Sequence, residues 1–335
     1  MANDRGSAPT SAREPDRINL AIGFIVLAMF CISLNDMLIK QLSDSYPLHQ
    51  MVLVRSLIGI AFTFCILQFE GGIGILRTRQ PGLHLVRGLL LVTANMSFFA
   101  GLAVIPLADA TALFFVAPLF ITVLSVPLLG ETVGWRRFAA VIVGFVGVLV
   151  MLRPGGDAAD GAGDRIALML PIVGAFAYSC SQILTRRLGA ASKASAMAIY
   201  IQATLIVVCS GFWLVAGDGR YAEGLESKSA IFLLRAWVWP SEEDWSLLII
   251  LGMTSGVIGY SLSQAYRSAS AATVAPFEYI AMPMAIAWGW VVFGELPDMS
   301  GGIGIALIVG AGLYVFMRET HRARPIASGR RLRRF

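Results

Sequence analysis

Residues 108–131 read ADATALFFVAPLFITVLSVPLLGE, and residues 272–295 read ATVAPFEYIAMPMAIAWGWVVFGE. Each is a largely apolar run closed by Gly-Glu, as Gly130-Glu131 and Gly294-Glu295, and the two lie 164 residues apart. At that spacing Ala108 falls on Ala272, Ala117 on Ala281 and, upstream, Ser97 on Ser261, while Pro118 misses Pro283 by one position. Both copies then enter a Gly-rich apolar stretch ending in Met151-Leu152-Arg153 or Phe316-Met317-Arg318. A helix crosses the hydrocarbon core in ~20 mostly apolar residues. A barrel strand would alternate instead. Each run therefore reads as a spanning helix, and the pair as two copies of one unit.

A second match, 146 residues apart, supports this. It sets Ser33-Leu34-Asn35-Asp36-Met37-Leu38-Ile39-Lys40 over Ser179-Cys180-Ser181-Gln182-Ile183-Leu184-Thr185-Arg186. The two offsets differ by 18 residues, most of it taken up by a long loop at 217–244 facing a shorter one at 70–82.

Composition agrees. The chain is 57% apolar and 14% charged, against the ~25% charge of soluble domains. That is too little charge to coat a globule, and too much hydrophobicity for disorder. We read ten apolar blocks: 19–39, 48–69, 83–105, 107–129, 135–152, 166–188, 195–216, 245–266, 271–293 and 300–317. Lipid offers backbone groups no partners, so the blocks must be helices. The first is too long for a signal-peptide core and no small-residue cleavage site follows it.

The expectation is an all-α polytopic membrane protein with ten transmembrane helices in two five-helix repeats, 19–152 and 166–317. A polar N-terminal tail, 1–18, and a basic C-terminal tail, 318–335, flank them. Five is odd, so the second repeat enters the membrane inverted, an architecture common in transporters. With both tails cytoplasmic, inner segments hold nineteen Lys and Arg and outer segments six, as the positive-inside rule requires of a bacterial inner-membrane protein. The loop 153–165 is then external. Within 217–244 the apolar run 230–240 is too short to span. It reads either as a helix on the outer surface, anchored by Arg235, Trp237 and Trp239, or as a loop with a buried apolar patch.

Other chemistries find little support. Cys31, Cys65, Cys180 and Cys209 sit in apolar blocks without metal spacing, and His49, His84 and His321 are scattered. No metal, cofactor or nucleic-acid partner is expected. Gly71-Gly72-Ile73-Gly74 lacks the Lys-Ser/Thr of a phosphate loop, so ATP does not drive the protein directly. No acid pair, His cluster or nucleophile–base set supports an enzyme, and the short tails leave no room for a sensor's soluble domain.

Ten helices, two five-helix repeats and Gly-Glu after the fourth helix of each repeat resemble the drug/metabolite transporter superfamily, EamA-type. The stretches that carry the resemblance are Ala108–Leu129 with Gly130-Glu131, and Ala272–Phe293 with Gly294-Glu295. The second copy departs from the pattern at Leu296-Pro297-Asp298, where a more polar entry into the last helix is usual. The resemblance implies a secondary transporter of a small organic metabolite working by alternating access. Efflux of an amino acid or metabolite is the first expectation. Uptake of a flat polar vitamin or nucleoside-like compound such as riboflavin is the alternative. The lipid bilayer and a coupling proton or ion are the other partners; the oligomeric state is left open.

Candidate site residues are ionisable or polar groups inside spans, which are expensive and therefore face cavities or partners. Glu278 lies between Pro276 and Pro283, which should bend its helix. With Tyr279 it is the first candidate for binding a substrate cation or proton, or for tying helices together. Asp36 and Arg55 face each other across the first hairpin and read as an ion pair, structural or gating. Asn35, Asn95, Gln182, Gln202, Tyr260 and Gln264 read as cavity lining or interhelical bonds. Phe98, Phe99, Phe114, Phe115, Tyr178, Trp288 and Trp290 read as walls for a flat solute or as core. Glu131 and Glu295 read as dipole partners of the helices that follow them.

Overall fold

The computed structural model describes residues 14–78, 80–130, 134–152, 162–188, 194–268 and 275–323. The expected tails, for the most part, most of the loop 153–165, and Glu131 lie outside these. Twelve α-helices are described: α1 (Glu14–Leu42), α2 (Leu48–Glu70), α3 (Pro81–Leu102), α4 (Leu107–Phe114), α5 (Ala117–Leu129), α6 (Trp135–Leu152), α7 (Ala162–Leu188), α8 (Ala194–Ala216), α9 (Lys228–Leu234), α10 (Glu242–Ser268), α11 (Ala281–Phe293) and α12 (Met299–Ala323). Short 3₁₀ turns occupy Ile73–Leu76 and Ala275–Ile280.

Seven helical segments are long and apolar enough to cross a membrane: Ile18–Leu42, Leu48–Glu70, Pro81–Leu102, Leu107–Leu128, Ile166–Thr185, Ser195–Ala216 and Glu242–Leu262. Three shorter apolar ones are Phe138–Leu152, Phe277–Phe293 and Met299–Val315. Their outward faces carry exposed Leu20, Phe64, Leu149, Val207 and Val291. In water such faces would aggregate; against lipid they are satisfied. This is a multi-pass membrane protein.

α1 packs along α10, α3 along α7, α6 along α12, and α2 against both α8 and α10. The α6–α12 pair is held close by glycine. A Cβ at Gly147 would lie 3.0 Å from the Gly304 carbonyl, and one at Gly304 would lie 2.9 Å from that of Gly147. Small residues allow such backbone contact, the main source of association where lipid removes the hydrophobic drive.

One span is interrupted by a break, and another opens on a 3₁₀ turn. α4 stops at Phe114 and α5 starts at Ala117, with Pro118 at its head. Pro118 cannot donate to the Phe114 carbonyl and its ring would clash with it, so the ladder breaks there. The 3₁₀ turn Ala275–Ile280 precedes α11, with Pro283 in the first turn of α11 where its missing donor is harmless. α5 and α11 both end on a left-handed glycine, Gly130 (φ 71°) and Gly294 (φ 68°), the conformation glycine adopts without strain.

The last helix is capped by Asp298, whose Oδ1 accepts from the Gly301 N–H at 2.7 Å. The Leu296-Pro297-Asp298 departure thus supplies a Pro-Asp start. Glu295, expected to serve the helix dipole, is instead bonded to Lys40 at 2.7 Å.

The segment 228–244 contains a short helix, α9, laid on the protein. Phe232 is buried, and Arg235 donates to the carbonyls of Ser43, Asp44 and Tyr46. Gln50 clamps Val238 through both its amide groups, at 2.6 and 3.1 Å. Trp239 remains exposed.

Candidate functional site

The broken helices shape a cavity of about 390 Å³ bounded by α1, α3, α4, α7, α10 and α11. Its polar lining is Ser33, Asp36, Asn95, Thr111, Tyr178 and Glu278. Its aromatic wall is a chain of tilted and edge-to-face rings: Phe98 lies 5.2 Å from Phe99 and 5.1 Å from Phe114, and Phe114 lies 5.5 Å from Tyr178. Beside it Phe115 stacks on Tyr279 at 5.1 Å, nearly parallel. Apolar walls with a few placed polar groups and this volume suit one small organic molecule.

The breaks place two of these groups. Phe114 ends α4, and Glu278 sits in the 3₁₀ turn before α11. A continuous helix would have spread these positions around its circumference.

Arg55 is buried behind the cavity. It donates to Asn35 Oδ1 at 3.0 Å and Asn95 Oδ1 at 2.9 Å, and lies over the Phe99 ring at 5.4 Å. Asn35 in turn donates to the Leu251 carbonyl at 3.2 Å and to Thr254 at 3.3 Å. The expected Asp36–Arg55 pair is not formed: among the described residues Asp36 has no ion pair within 4.0 Å, and Arg55 acts on it only through space. Adjacent residues on a helix point about 100° apart. Asn35 therefore meets Arg55 and α10, while Asp36 meets the cavity.

Of the other candidates, Gln182 donates to the Tyr178 hydroxyl at 2.5 Å and Trp288 to Ser33 Oγ at 3.2 Å, each standing behind a lining residue. Gln202 is buried against Gly59 between α8 and α2. Gln264 bonds Tyr260 at 3.2 Å, and Tyr260 lines a separate recess of about 10 Å³, too small for a solute. Trp290 is exposed on the outer face. Asp36, Asn95 and Glu278 come together in the cavity; Tyr260, Gln202 and Gln264 do not join them.

The sequence reading missed Lys40. Its ammonium donates to Glu295 at 2.7 Å and to the Ile105 carbonyl at 2.8 Å, and sits 5.1 Å from the centre of the Phe293 ring. It ties the end of α1 to the α3–α4 loop and the α11–α12 loop. The available signal was a lysine at the mouth of the first span, aligned at 146 residues with Arg186.

The profile of the EamA-like transporter family matches residues 19–153 and 225–317. The chain belongs to the EamA-like transporter family. As a family of transporters, not enzymes, it accounts for a solute-sized cavity without catalytic groupings. The riboflavin transporter of Rhizobium johnstonii is 29% identical over 317 residues, 94% of this chain and 97% of that protein. The S-adenosylmethionine uptake transporter of Rickettsia bellii is 26% identical over 90% of this chain and 94% of its own length. The pseudopaline exporter of Pseudomonas aeruginosa is 27% identical over 88% and 95%. A solved crystal structure shares the fold with a TM-score of 0.61 at 19% identity, covering 91% of this chain and 98% of its own. This EamA-like protein is a transporter of a small metabolite.

Proposed function

We propose that this chain is an inner-membrane secondary transporter with ten spans in two inverted repeats and both termini cytoplasmic. On this reading it takes up a flat, heteroaromatic metabolite by alternating access. The observation that carries the proposal is the aromatic-walled cavity between the two halves. Residues from α1, α3 and α4 line it together with residues from α7, α10 and α11.

Several contacts support the repeat. At the 164-residue spacing Phe115 is the counterpart of Tyr279, and these two rings stack on each other. Equivalent residues related by a two-fold axis can touch only on the axis, so the axis would pass through this stack beside the cavity. The helix starts at Ala117 and Ala281 coincide at the same spacing, as do the left-handed caps Gly130 and Gly294. At the 146-residue spacing Ser179 of α7 bonds Ala117 of α5 at 2.9 Å, while Ser33 of α1 meets Met284 and Trp288 of α11. Each repeat's first helix packs on the other repeat's broken helix.

Uptake is preferred over efflux because the S-adenosylmethionine uptake transporter covers 90% of this chain, and a flat heteroaromatic cargo because that relative and the riboflavin transporter are each named for one. The test is transport by purified protein in vesicles, with riboflavin and S-adenosylmethionine as cargoes in both orientations under proton and sodium gradients. Protein-dependent flux of neither cargo would refute the proposed cargo class.

A further inference from the structure

We propose that Asp36 makes the cavity selective for a planar organic cation; the inference rests on the transport reading above and specifies its cargo. Asp36 lines the cavity, and among the described residues it receives no hydrogen bond and forms no ion pair. Three acids near the membrane ends are engaged: Glu295 by Lys40, Asp298 by Gly301 and Ser300, Asp244 by Tyr46 and Ser241. The cation that acts on it, Arg55, hydrogen-bonds Asn35 and Asn95 rather than Asp36, rests on Phe99, and reaches Asp36 only through space. Among the described residues no Lys, Arg or His lines the cavity, whereas a second acid, Glu278, does.

A carboxylate facing an apolar cavity at membrane depth is costly unless something neutralises it. Here the partner would be the cargo itself. An anion would meet the Asp36 carboxylate with no base among the described lining residues. A neutral solute would leave Asp36 with only the through-space field of Arg55. A cation would gain both Asp36 and the faces of Phe98, Phe99, Phe114 and Tyr178, since aromatic rings attract cations over their faces. The same rings favour a planar cargo. The ligand class is therefore a flat ring bearing a fixed positive charge or an ammonium group.

The test uses three probes of one shape: 1-methylnicotinamide (cation), nicotinamide (neutral) and nicotinate (anion). Binding to the purified full chain is measured by calorimetry, with vesicle counterflow alongside. The cation should bind at least tenfold more tightly than nicotinamide, with nicotinate weakest. Asp36→Asn should erase that preference and Asp36→Glu should retain it. Equal binding of cation and neutral probe to the wild type overturns the proposal without recourse to a variant, as does a cation preference that survives Asp36→Asn. Counterflow of the neutral or anionic probe but not the cation would sink the charge selectivity while leaving transport intact. Absence of binding by all three probes overturns the proposal too, and the vesicle assay with the larger cargoes then decides separately whether the chain transports.

Discussion

Replacing Lys40 by Met should open the α1 end of the cavity. The substitution keeps the apolar stem and removes the ammonium. In the structure that ammonium gives a charged hydrogen bond to the Ile105 carbonyl at 2.8 Å, an ion pair to Glu295 at 2.7 Å and a contact to the Phe293 ring. A hydrogen bond from a charged donor contributes ~1.5 kcal/mol or more. The ion pair is discounted to ~0.5 kcal/mol because the Glu295 side chain is 34% exposed. The ring contact adds about 0.5 kcal/mol. Desolvating the Lys40 side chain, 9% exposed in the closed arrangement, offsets part of this. The net preference for closure is then about 1.5 kcal/mol, or roughly tenfold in population.

The assay is the rate at which an impermeant maleimide, added outside intact cells, labels a single cysteine at Leu107. That residue lies at the cavity's edge and is fully buried. The background replaces Cys31, Cys65, Cys180 and Cys209 by Ala. Labelling should rise about tenfold in Lys40→Met and by a smaller factor in Glu295→Gln, which spares the bond to Ile105. An unchanged rate in Lys40→Met, in protein that labels normally once denatured, would refute the clamp.

Three further outcomes are expected. Glu278→Gln should fold and express as wild type yet lose transport or its pH dependence in vesicles, whereas full pH-dependent uptake would return Glu278 to a packing role. Arg55→Lys cannot serve Asn35 and Asn95 together, and losing one charged bond should lower stability by about 1.5–3 kcal/mol; Asp36→Asn should shift the melting temperature far less, and equal shifts would mean that the two form a pair after all. Gly147→Leu places a Cβ 3.0 Å from the Gly304 carbonyl, so overpacking of about 1–3 kcal/mol should separate α6 from α12 and depress the melting temperature, while wild-type stability would show that the contact yields.

Much of the architecture was legible because the bilayer simplifies the problem. Apolar runs such as 48–69 and 195–216 can only be helices, and they fall on α2 and α8. The interruption around Glu278 was legible from Pro276 and Pro283. Partner choice was not legible. Arg55 was assigned to Asp36 on charge and proximity along the hairpin, yet its hydrogen bonds go to two neutral amides. Rotation about the α1 axis decides that, and it is set by how α1 packs on α10, a contact some 220 residues away in sequence. Lys40 was counted only as one more basic residue near a membrane surface, because its partners come from two other loops. Asp298 shows the reverse case: the departure from the family pattern at Leu296-Pro297-Asp298 is itself the helix cap.

The two halves, compared position by position under the proposed repeat, separate what moves from what binds. Some positions keep their character: Lys40 with Arg186, Glu131 with Glu295, Gly130 with Gly294. Lys40 and Glu295 bond each other at a helix end and Gly130 and Gly294 stop helices, and an inverted repeat needs the same devices at both faces if it is to close each in turn. The cavity positions diverge instead. Asp36 is matched by Gln182, Glu278 by Phe114, Asn95 by Gly259 and Tyr178 by Ile32. A symmetric cavity would present each group twice and suit a symmetric cargo. Here both acids and the carboxamide are single-copy, so the polar lining of the cavity is not symmetric. A cargo with a charged group at one place and a flat ring at another would fit in one orientation only, and that orientation would be kept whichever face is open.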